Sequence, residues 1–417
     1  MTTQNRWLIA AAGVLMQVAF GAVYAWSVFR IPLSHTHGWT IAEVTAAFEI
    51  AIFVVGFAAF AGGLWMKRSG PRPVALAAAV LYGLGTMLTG SAHSLTTLYL
   101  AYGVLGGAGL GLGYIVPIAT LVKWFPDKRG MITGLAVAGF GAGALVTAPV
   151  ANSLIASVGV GGTFEILGLA YLVVVFACAL VMRNPPEGHA PAGYRASAPQ
   201  PGRSARDFTL RQALGTWQWY ALWLTLFLNT TAGIAIISQA SPMAQEISGV
   251  SAATAAGMVG LISIANGSGR FLWAWFSDAV GRRTVFLIMF LLQSAAFLLV
   301  SQAHQFALLS LLAFLILLCY GGGFGTMPAF ATDYFGAAQI GSIYGLMLTA
   351  WGCAAVFGPS LVAGIRQATG HYQGAMRWLA LATLVSAVVP LLLRPPRERQ
   401  SQDFRVQGIG ADRRVRT

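Results

Sequence analysis

One arginine stands inside a long apolar stretch, where a charge has to be accounted for. The segment "LISIANGSGRFLWAW" (261–275) carries Arg270 with glycines before it and tryptophans after it. Arginine stays charged in proteins, and its planar group donates two parallel hydrogen bonds to a carboxylate. Inside an apolar run such a group must therefore meet a carboxylate side chain, a bound anion or a water-filled cavity.

Few carboxylates are placed to neutralise this charge. Of the 12 Asp and Glu residues, Glu49 and Glu165 lie within apolar runs, whereas Asp278 and Asp333 lie at the ends of runs. Arg270 precedes Asp278 by eight residues, which puts it roughly 12 Å inside the run at 1.5 Å per helical residue. Neither glutamate has a matching depth. A fixed ion pair and an unpaired arginine that binds an anionic substrate both stay open, and the depths favour the second.

The other residue types that commonly do chemistry form no recognisable centre. Five of the six histidines fall in short loops and His189 in a polar linker, with no HExxH pattern. The three cysteines, Cys178, Cys319 and Cys353, lie in apolar runs without metal or redox spacing. No Gly-Lys-Ser/Thr follows the glycine-rich stretches, so a phosphate loop is not indicated. The sequence predicts no catalytic residue, no metal, no cofactor and no enzyme activity.

The elements that must position Arg270 are membrane helices. The chain of 417 residues is 57% hydrophobic and 9% charged, whereas about a quarter of residues are charged in soluble domains. Crossing a bilayer takes about 20 apolar residues as helix. Twelve runs meet that length, near 7–29, 42–64, 73–91, 95–122, 130–156, 163–182, 217–238, 252–276, 284–302, 306–330, 340–365 and 374–393. We therefore expect an all-α membrane protein in contact with a lipid bilayer.

The distribution of positive charge predicts the topology. If the N-terminus is cytoplasmic, 21 of the 25 Lys and Arg residues fall on the cytoplasmic side, and only Arg30, Arg366 and Arg377 lie outside. This bias predicts that both termini are cytoplasmic. It also explains the formal net charge of +13 without nucleic acid as a partner.

Two halves of six runs each are predicted to share one architecture. A Pro-, Ala- and Arg-rich linker divides the chain into an N-terminal half (1–182), the linker (183–216), a C-terminal half (217–393) and a basic tail (394–417). Local patterns recur at an offset of about 211 residues, as in "GLWMKRSGPR" (63–72) and "AWFSDAVGRR" (274–283). Pairs of six-helix halves around a central site are typical of secondary transporters.

These patterns resemble the major facilitator superfamily along the whole chain. The two loop segments resemble its motif Gly-x-x-x-Asp-Arg-x-Gly-Arg-Arg, and the resemblance implies twelve transmembrane helices in two pseudo-symmetric six-helix halves. In the family the acid of this motif latches the cytoplasmic gate. The acid's position holds Lys67 in the first copy, and a lysine has the wrong sign for this task. The matching gate residues are Gly63, Arg68, Gly70 and Arg72 in the first copy, and Asp278, Gly281, Arg282 and Arg283 in the second.

Three further segments resemble the oxalate/formate antiporter family and related monocarboxylate carriers. They are "WFPDKRG" (124–130), "NGSGR" (266–270) and "YGLMLTAWGCAAVFG" (344–358). The resemblance implies that Arg270 grips a carboxylate and that aromatic residues from several helices surround the ligand. The matching aromatic positions are Tyr24, Phe29, Tyr114, Phe140, Tyr320 and Phe324.

Two departures from these families narrow the expected cargo and coupling. Trp351 stands where the oxalate carrier has a lysine, and one cation beside an indole suits a monoanion better than a dianion. Asn266 stands where proton-coupled carriers have an aspartate, and an amide cannot titrate. We expect either exchange of one anion for another or a proton carried by Glu49, whose pKa burial would raise.

The sequence thus predicts a monomeric secondary carrier of the inner membrane for a monocarboxylate of the size of formate, lactate or pyruvate. The predicted substrate contacts are Arg270, Tyr114, Tyr24, Phe29, Phe140, Asn266, Tyr320, Phe324 and Trp351. A dicarboxylate antiporter, a transporter-like sensor that binds without transport, and an anion channel are the alternatives. Neither the cargo nor the direction of transport follows from the sequence.

Overall fold

A computed structural model describes residues 5–186, 188–189, 207–303 and 305–396. Within these ranges the secondary structure is helical, and no strand occurs. Most of the predicted linker, residues 187 and 190–206, and the basic tail from residue 397 lie outside the described residues. The prediction of an all-α protein is confirmed, whereas the domain boundaries stay predictions.

In its described residues, the N-terminal half contains seven α-helices, a 3₁₀ turn and a π-helical segment. Its α-helices are α1 (Arg6–Gly21), α2 (Trp26–His37), α3 (Ile41–Ser69), α4 (Pro71–Gly90), α5 (Leu95–Leu98), α6 (Gly107–Trp124) and α7 (Arg129–Val181). A 3₁₀ turn, Ala22–Ala25, joins α1 to α2, and a π-helical segment, Tyr99–Gly106, joins α5 to α6.

A short helix precedes the C-terminal half. This helix is α8 (Leu210–Leu214). The half itself contains α9 (Trp217–Ser248), α10 (Ala252–Val280), α11 (Arg282–Val300), α12 (Phe306–Phe335), α13 (Ile340–Met347), α14 (Thr349–Thr369), α15 (Tyr372–Ser386) and α16 (Val388–Leu392).

The boundaries between helices follow from local sequence. Thr40 and Glu43 form a reciprocal capping box that starts α3. Gly70 ends α3 with a positive φ of 76°, and Pro71 then begins α4 with a φ suited to a first helical residue. Gly159, also at φ 76°, breaks α7 within its 53 residues. The fifth and sixth predicted spans lie on either side of this break.

The lengths and hydropathies of the helices suit a bilayer. Among the described residues, ten helical stretches are long and apolar enough to cross a membrane. One of them is Arg129–Val181, which contains the break at Gly159, and the ten do not include α10, whose middle carries Asn266 and Arg270. A multi-pass helical protein is therefore confirmed, while the count of twelve spans stays a prediction.

Contacts related by the offset of 211 residues show the internal repeat in atomic detail. The Arg72 guanidinium donates to the backbone oxygen of Leu180, and Arg283 donates to that of Leu391 at 2.6 Å. Each arginine thus ties the start of one helix to the end of the last helix in its own half. Both members of the second pair lie 211 residues beyond those of the first.

Two further equivalent contacts join the halves to each other. A Cβ on Gly63 would stand 2.0 Å from the backbone oxygen of Gly341, and one on Gly130 would stand 2.4 Å from that of Ala274. Only glycine allows backbones to approach this closely. The helix α3 therefore packs against α13, and α7 packs against α10 in the equivalent way.

Candidate functional site

The guanidinium of Arg270 lies at the centre of the interface between the halves. Its side chain projects from α10 and is fully buried. Nε donates to Oδ1 of Asn266 at 3.2 Å, one turn earlier on the same helix. The terminal nitrogens donate across the interface, to the hydroxyl of Tyr24 at 3.3 Å and to the backbone oxygen of Val137 at 3.5 Å. All three acceptors are neutral, and the last two distances lie beyond the usual range for N–H···O bonds.

No carboxylate in the described ranges forms an ion pair with Arg270. Those within ion-pair distance of a cation pair with other arginines, namely Asp127 with Arg6, Asp278 with Arg282, Asp333 with both Arg129 and Arg282, and Glu246 with Arg366. Glu49 and Glu165 are exposed. An internal ion pair, the alternative left open by the sequence, is therefore not formed by these residues.

Three aromatic rings surround the guanidinium. The carbon Cζ of Arg270 lies 5.9 Å from the ring centre of Tyr24, 5.3 Å from that of Phe140 and 5.0 Å from that of Phe324. Rings at such distances attract a cation through their quadrupole, more strongly when water is excluded. The aromatic shell thus stabilises a buried positive charge without neutralising it.

Further aromatic residues extend this shell. Trp351 on α14 and Tyr114 on α6 are both buried, with ring centres 6.2 Å apart. Phe140 contacts Tyr114 at 5.1 Å, and Phe324 contacts Trp351 at 5.1 Å. Both halves therefore contribute to one cluster. Tyr320 joins it through Phe324, with ring centres 5.3 Å apart.

Phe29 is the one predicted aromatic contact that the structure places elsewhere. Its ring stacks on Phe164 at 4.4 Å and also contacts Trp26. Both neighbours belong to the N-terminal half. Tyr24 lies within the 3₁₀ turn Ala22–Ala25, whereas Phe29 lies in α2, so the two side chains do not continue along one regular helix.

Tyr24 lies between the buried arginine and the exposed part of α2. Its side chain is half-buried, and Ser27 and Ile31, farther along α2, are exposed. Beyond Tyr24, the chain runs along α2 toward the end of the bundle where α2 ends. We call the other end, which carries Lys67, Arg129 and Arg282, the basic end.

Equivalent residues on α3 and α10 show where the halves separate. One face of α3 carries Glu49, Gly56 and Gly63 at intervals of seven residues. Gly63 approaches α13 closely and Gly56 approaches α14, whereas Glu49 is exposed. On α10, Gly267 approaches Gly141, but no described atom lies within 4 Å of a Cβ placed on Gly260, the counterpart of Glu49. The halves touch from the basic end to the middle and part beyond it.

The expected burial of Glu49 is wrong. Its side chain is exposed at the place where α3 and α14 part, and it has no contact with the arginine. Whether this position is buried depends on the tilt of one half against the other, which the apolar pattern of α3 does not specify.

An ionic network closes the basic end between α7 and α10. Asp278 accepts from the backbone nitrogens of Gly130 at 3.0 Å and Met131 at 2.8 Å, which lie in the first turn of α7. Arg282 pairs with Asp278 at 2.6 Å and with Asp333 at 3.1 Å. An acid at a helix N-terminus satisfies unpaired N–H groups and interacts favourably with the helix dipole.

Among the residues that the structure describes, the equivalent contact between α3 and α13 shows no such network. Lys67 occupies the position of Asp278, and both Lys67 and Arg68 are exposed. The contact consists of the close approach of Gly63 to Gly341, and of Gly345 to the backbone oxygen of Ala59. The two copies of the loop motif therefore differ in what they contribute to the closed end.

Three residues of these sites are absent from the sequence-based set. Tyr344 on α13 is fully buried next to Tyr114. Its spacing of seven residues from Trp351, two helical turns, is the signal that could have identified it. Arg129 and Asp333 pair at 3.0 Å although 204 residues separate them, and no local pattern predicts that pair.

Comparisons with known proteins agree with this architecture. A model of the Major Facilitator Superfamily matches residues 9–271 and 222–410. The chain is 28% identical over 400 residues to the oxalate:formate antiporter of Oxalobacter formigenes, covering 94% of this chain and 93% of that protein. It is 27% identical over 411 residues to apicoplast pyruvate carrier 1 of Toxoplasma gondii, covering 82% and 73%.

A solved structure shares the fold at low sequence identity. The Escherichia coli transporter FucP, in its outward conformation, superimposes with a TM-score of 0.70 at 18% identity, covering 92% of this chain and 97% of that one. Identity this low supports the shared helical architecture and carries no information about cargo.

Proposed function

This chain belongs to the Major Facilitator Superfamily, and we propose that it is a secondary active transporter of small organic anions that binds monocarboxylates at Arg270. The proposal rests on one observation, a fully buried arginine that has no carboxylate partner among the described residues. A buried charge of this kind is costly unless a counter-charge reaches it. A carboxylate of the cargo supplies that counter-charge.

The hydrogen bonds of Arg270 leave some of its N–H donors free for such a ligand. The guanidinium has five N–H groups, and its described acceptors use one on Nε and one on each terminal nitrogen. Each terminal nitrogen thus retains a second N–H, the pair that a carboxylate engages in a bidentate fork. Charge-assisted bonds are about twice as strong as neutral ones, so an anion competes well with the long bonds to Tyr24 and Val137.

The surroundings of the arginine favour a monoanion. Within the described ranges, the residues that contact the guanidinium are aromatic or amide groups and bring no second cation. Trp351 fills the position of the oxalate carrier's lysine with an indole that packs on Phe324. A second carboxylate would be left unpaired against these rings, which is unfavourable.

We further propose that the driving force is the exchange of one anion for another. Asn266 beside Arg270 has no titratable proton, and Glu49 is exposed outside the site. Exchange requires only that the loaded carrier changes its orientation more readily than the empty one. A carboxylate on Arg270 removes the net charge that would otherwise cross a closed, dry interface.

The membrane orientation follows from charge. We place the basic end in the cytoplasm, together with both termini, and the protein in the inner membrane as a monomer. In this orientation the closed basic end faces the cytoplasm.

Replacing Arg270 tests the proposal. In liposomes that contain the purified protein, we expect Arg270→Ala to lower counterflow of labelled formate, lactate and pyruvate at least about 100-fold, because a buried charge-paired contact is worth roughly 3 kcal/mol or more. Arg270→Lys keeps the charge but loses the fork, so we expect it to restore only a small part of the activity. Arg377→Ala, which removes an exposed arginine, is the matched control.

The same assay separates the alternatives. Undiminished counterflow in Arg270→Ala would falsify the anchor. Stabilisation of the wild type by a carboxylate without any exchange would identify a sensor. Stronger exchange with oxalate than with any monocarboxylate would identify the dicarboxylate antiporter.

A further inference from the structure

A groove opens between the first turns of α10 and α12, at the end of the molecule opposite the basic end. Its volume is about 590 Å³. Most of the side chains that line it are apolar, among them Met258 and Leu261 on α10 and Leu311 and Phe314 on α12. Arg270 does not belong to this lining, so the groove is separate from the site between the halves.

The internal repeat shows why no side chain fills this space. At the offset of 211 residues, Ser310 in the groove corresponds to Tyr99, and Thr254 corresponds to Glu43. The hydroxyl of Tyr99 donates to the backbone oxygen of Glu43 on α3 at 3.0 Å, so a tyrosine joins the equivalent helices of the N-terminal half. Ser310 lacks that ring, and no described atom lies within 4 Å of a Cβ placed on Gly257 across the groove. The space of a large side chain is therefore left open between α10 and α12.

The hydroxyl of Ser310 is buried in this lining without a partner. The residue is 7% exposed, and its Oγ makes no hydrogen bond with a described residue. Two serines of α10 are satisfied within their own helix, since Ser263 and Ser268 each donate at 2.8 Å to the backbone oxygen four residues earlier. A hydroxyl left unpaired in apolar surroundings costs free energy. An occupant of the groove is therefore expected to bring a hydrogen-bond acceptor to Ser310.

The groove is continuous with the apolar surface that faces the bilayer. Leu261 and Leu311 in its lining and Leu308 beside it are exposed. Ser310 lies four residues into α12, about 6 Å from the start of the helix at 1.5 Å per residue. The interfacial layer on each side of the hydrocarbon core is roughly 5–8 Å thick. Ser310 thus lies near the depth at which ester groups join the acyl chains of phospholipids to their headgroups.

We propose that this groove binds one phospholipid, whose acyl chain lies against Leu261 and Phe314 and whose ester carbonyl accepts a hydrogen bond from Ser310. The lipid belongs to the leaflet opposite the basic end. It supplies between α10 and α12 the link that Tyr99 supplies between the equivalent helices of the other half. The site makes no demand on the cargo, so it can fail while the proposed function stands.

Two lipids that differ in this carbonyl provide the test: a phosphatidylglycerol with ester-linked chains and its ether-linked analogue of equal chain length. For the purified full-length protein, titrated by native mass spectrometry, we expect the ester lipid to bind about fivefold more tightly, the factor of one neutral hydrogen bond. In Ser310→Ala we expect the two lipids to bind equally. Ser263→Ala is the matched control, because it removes a hydroxyl that bonds within its own helix, and we expect the fivefold preference to persist there.

Filling the groove provides an independent test. Ser310→Tyr copies the N-terminal half, and we expect it to weaken binding of both lipids at least about tenfold. Leu308→Tyr places the same side chain on the exposed surface beside the groove, and we expect it to bind both lipids as the wild type does.

Three results would overturn the lipid site. They are equal affinity for the two lipids in the wild type, a preference that survives in Ser310→Ala, and undiminished binding in Ser310→Tyr. A wild-type dimer that dissociates in Ser310→Tyr but not in Leu308→Tyr would assign the groove to a second copy of the chain instead of a phospholipid.

Discussion

At the basic end the halves meet twice, at positions related by the internal repeat, and the two contacts are held by different interactions. Between α7 and α10, Asp278 accepts from two backbone nitrogens and shares Arg282 with Asp333. Between α3 and α13, backbone meets backbone at Gly63 and Gly341, with Lys67 directed to solvent. Both contacts share a close glycine approach, since a Cβ on Gly130 would stand 2.4 Å from the backbone oxygen of Ala274. The contact between α7 and α10 adds an ionic network to it, so the two contacts are expected to respond differently to substitution.

The packed contact is expected to be the more sensitive of the two. In Gly63→Ala the new Cβ would stand 2.0 Å from the backbone oxygen of Gly341, so the helices must separate. We expect the closed basic end to lose about 3 kcal/mol, roughly a 100-fold change in its population. Spin labels at Ser69 and Ala338, both exposed, measure this as a longer distance between α3 and α13.

Gly260→Ala is the control for that experiment, because no described atom lies within 4 Å of its new Cβ. Both variants gain the same intrinsic helix propensity, so a difference between them reports the steric contact. Unchanged label distances in Gly63→Ala would show that the glycine contact does not hold the end closed.

The ionic contact is expected to respond with a smaller effect. Asp278→Asn keeps the size of the side chain but replaces one of its two acceptor oxygens with a donor that faces a backbone nitrogen. We expect the closed state to lose about 2 kcal/mol, or roughly 30-fold in population. Labels at Lys128 and Ala279 measure the separation of α7 from α10.

Asp127→Asn provides the comparison for the charge itself. Asp127 pairs with Arg6 at 2.8 Å, and both belong to the N-terminal half. We expect no change in the separation of α7 from α10. An equal response of the two variants would mean that the network around Asp278 has no special part in closure.

The smallest effect is expected from making the two contacts alike. Lys67→Asp supplies an acid opposite the N-terminus of α13, where we expect a gain of about 0.5 kcal/mol, a factor of about two in the closed population. Lys67→Gln separates this gain from the mere loss of a positive charge. Labels at Ser69 and Ala338 report both variants, and a wider basic end in Lys67→Asp would contradict the assignment.

Much of this architecture is readable from the sequence because it depends on periodicity. Apolar runs of membrane length identify helices, and the offset of 211 residues identifies the repeat, which the ties of Arg72 and Arg283 display in the structure. Arg270 stands out for the same reason, since a charge inside an apolar run is conspicuous.

What the sequence does not specify is how helices rotate and how the halves tilt. Phe29 stacks on Phe164 and lies in α2, beyond the 3₁₀ turn that contains Tyr24, and Glu49 is exposed because the halves part at its level. The pair of Arg129 with Asp333 joins residues far apart in the chain. Each of these depends on the relative placement of helices, which hydropathy along one helix does not determine.

Two arginine contacts also affect the rigidity of each half. They run from Arg72 to Leu180 and from Arg283 to Leu391. Each acts as a brace across its own six-helix unit, close to the end where the units meet. A braced unit resists shear among its helices, so displacement at the substrate site is transmitted to the opposing unit rather than dissipated locally. The conformational change of the transporter then takes place mainly at the interface between two rigid six-helix units.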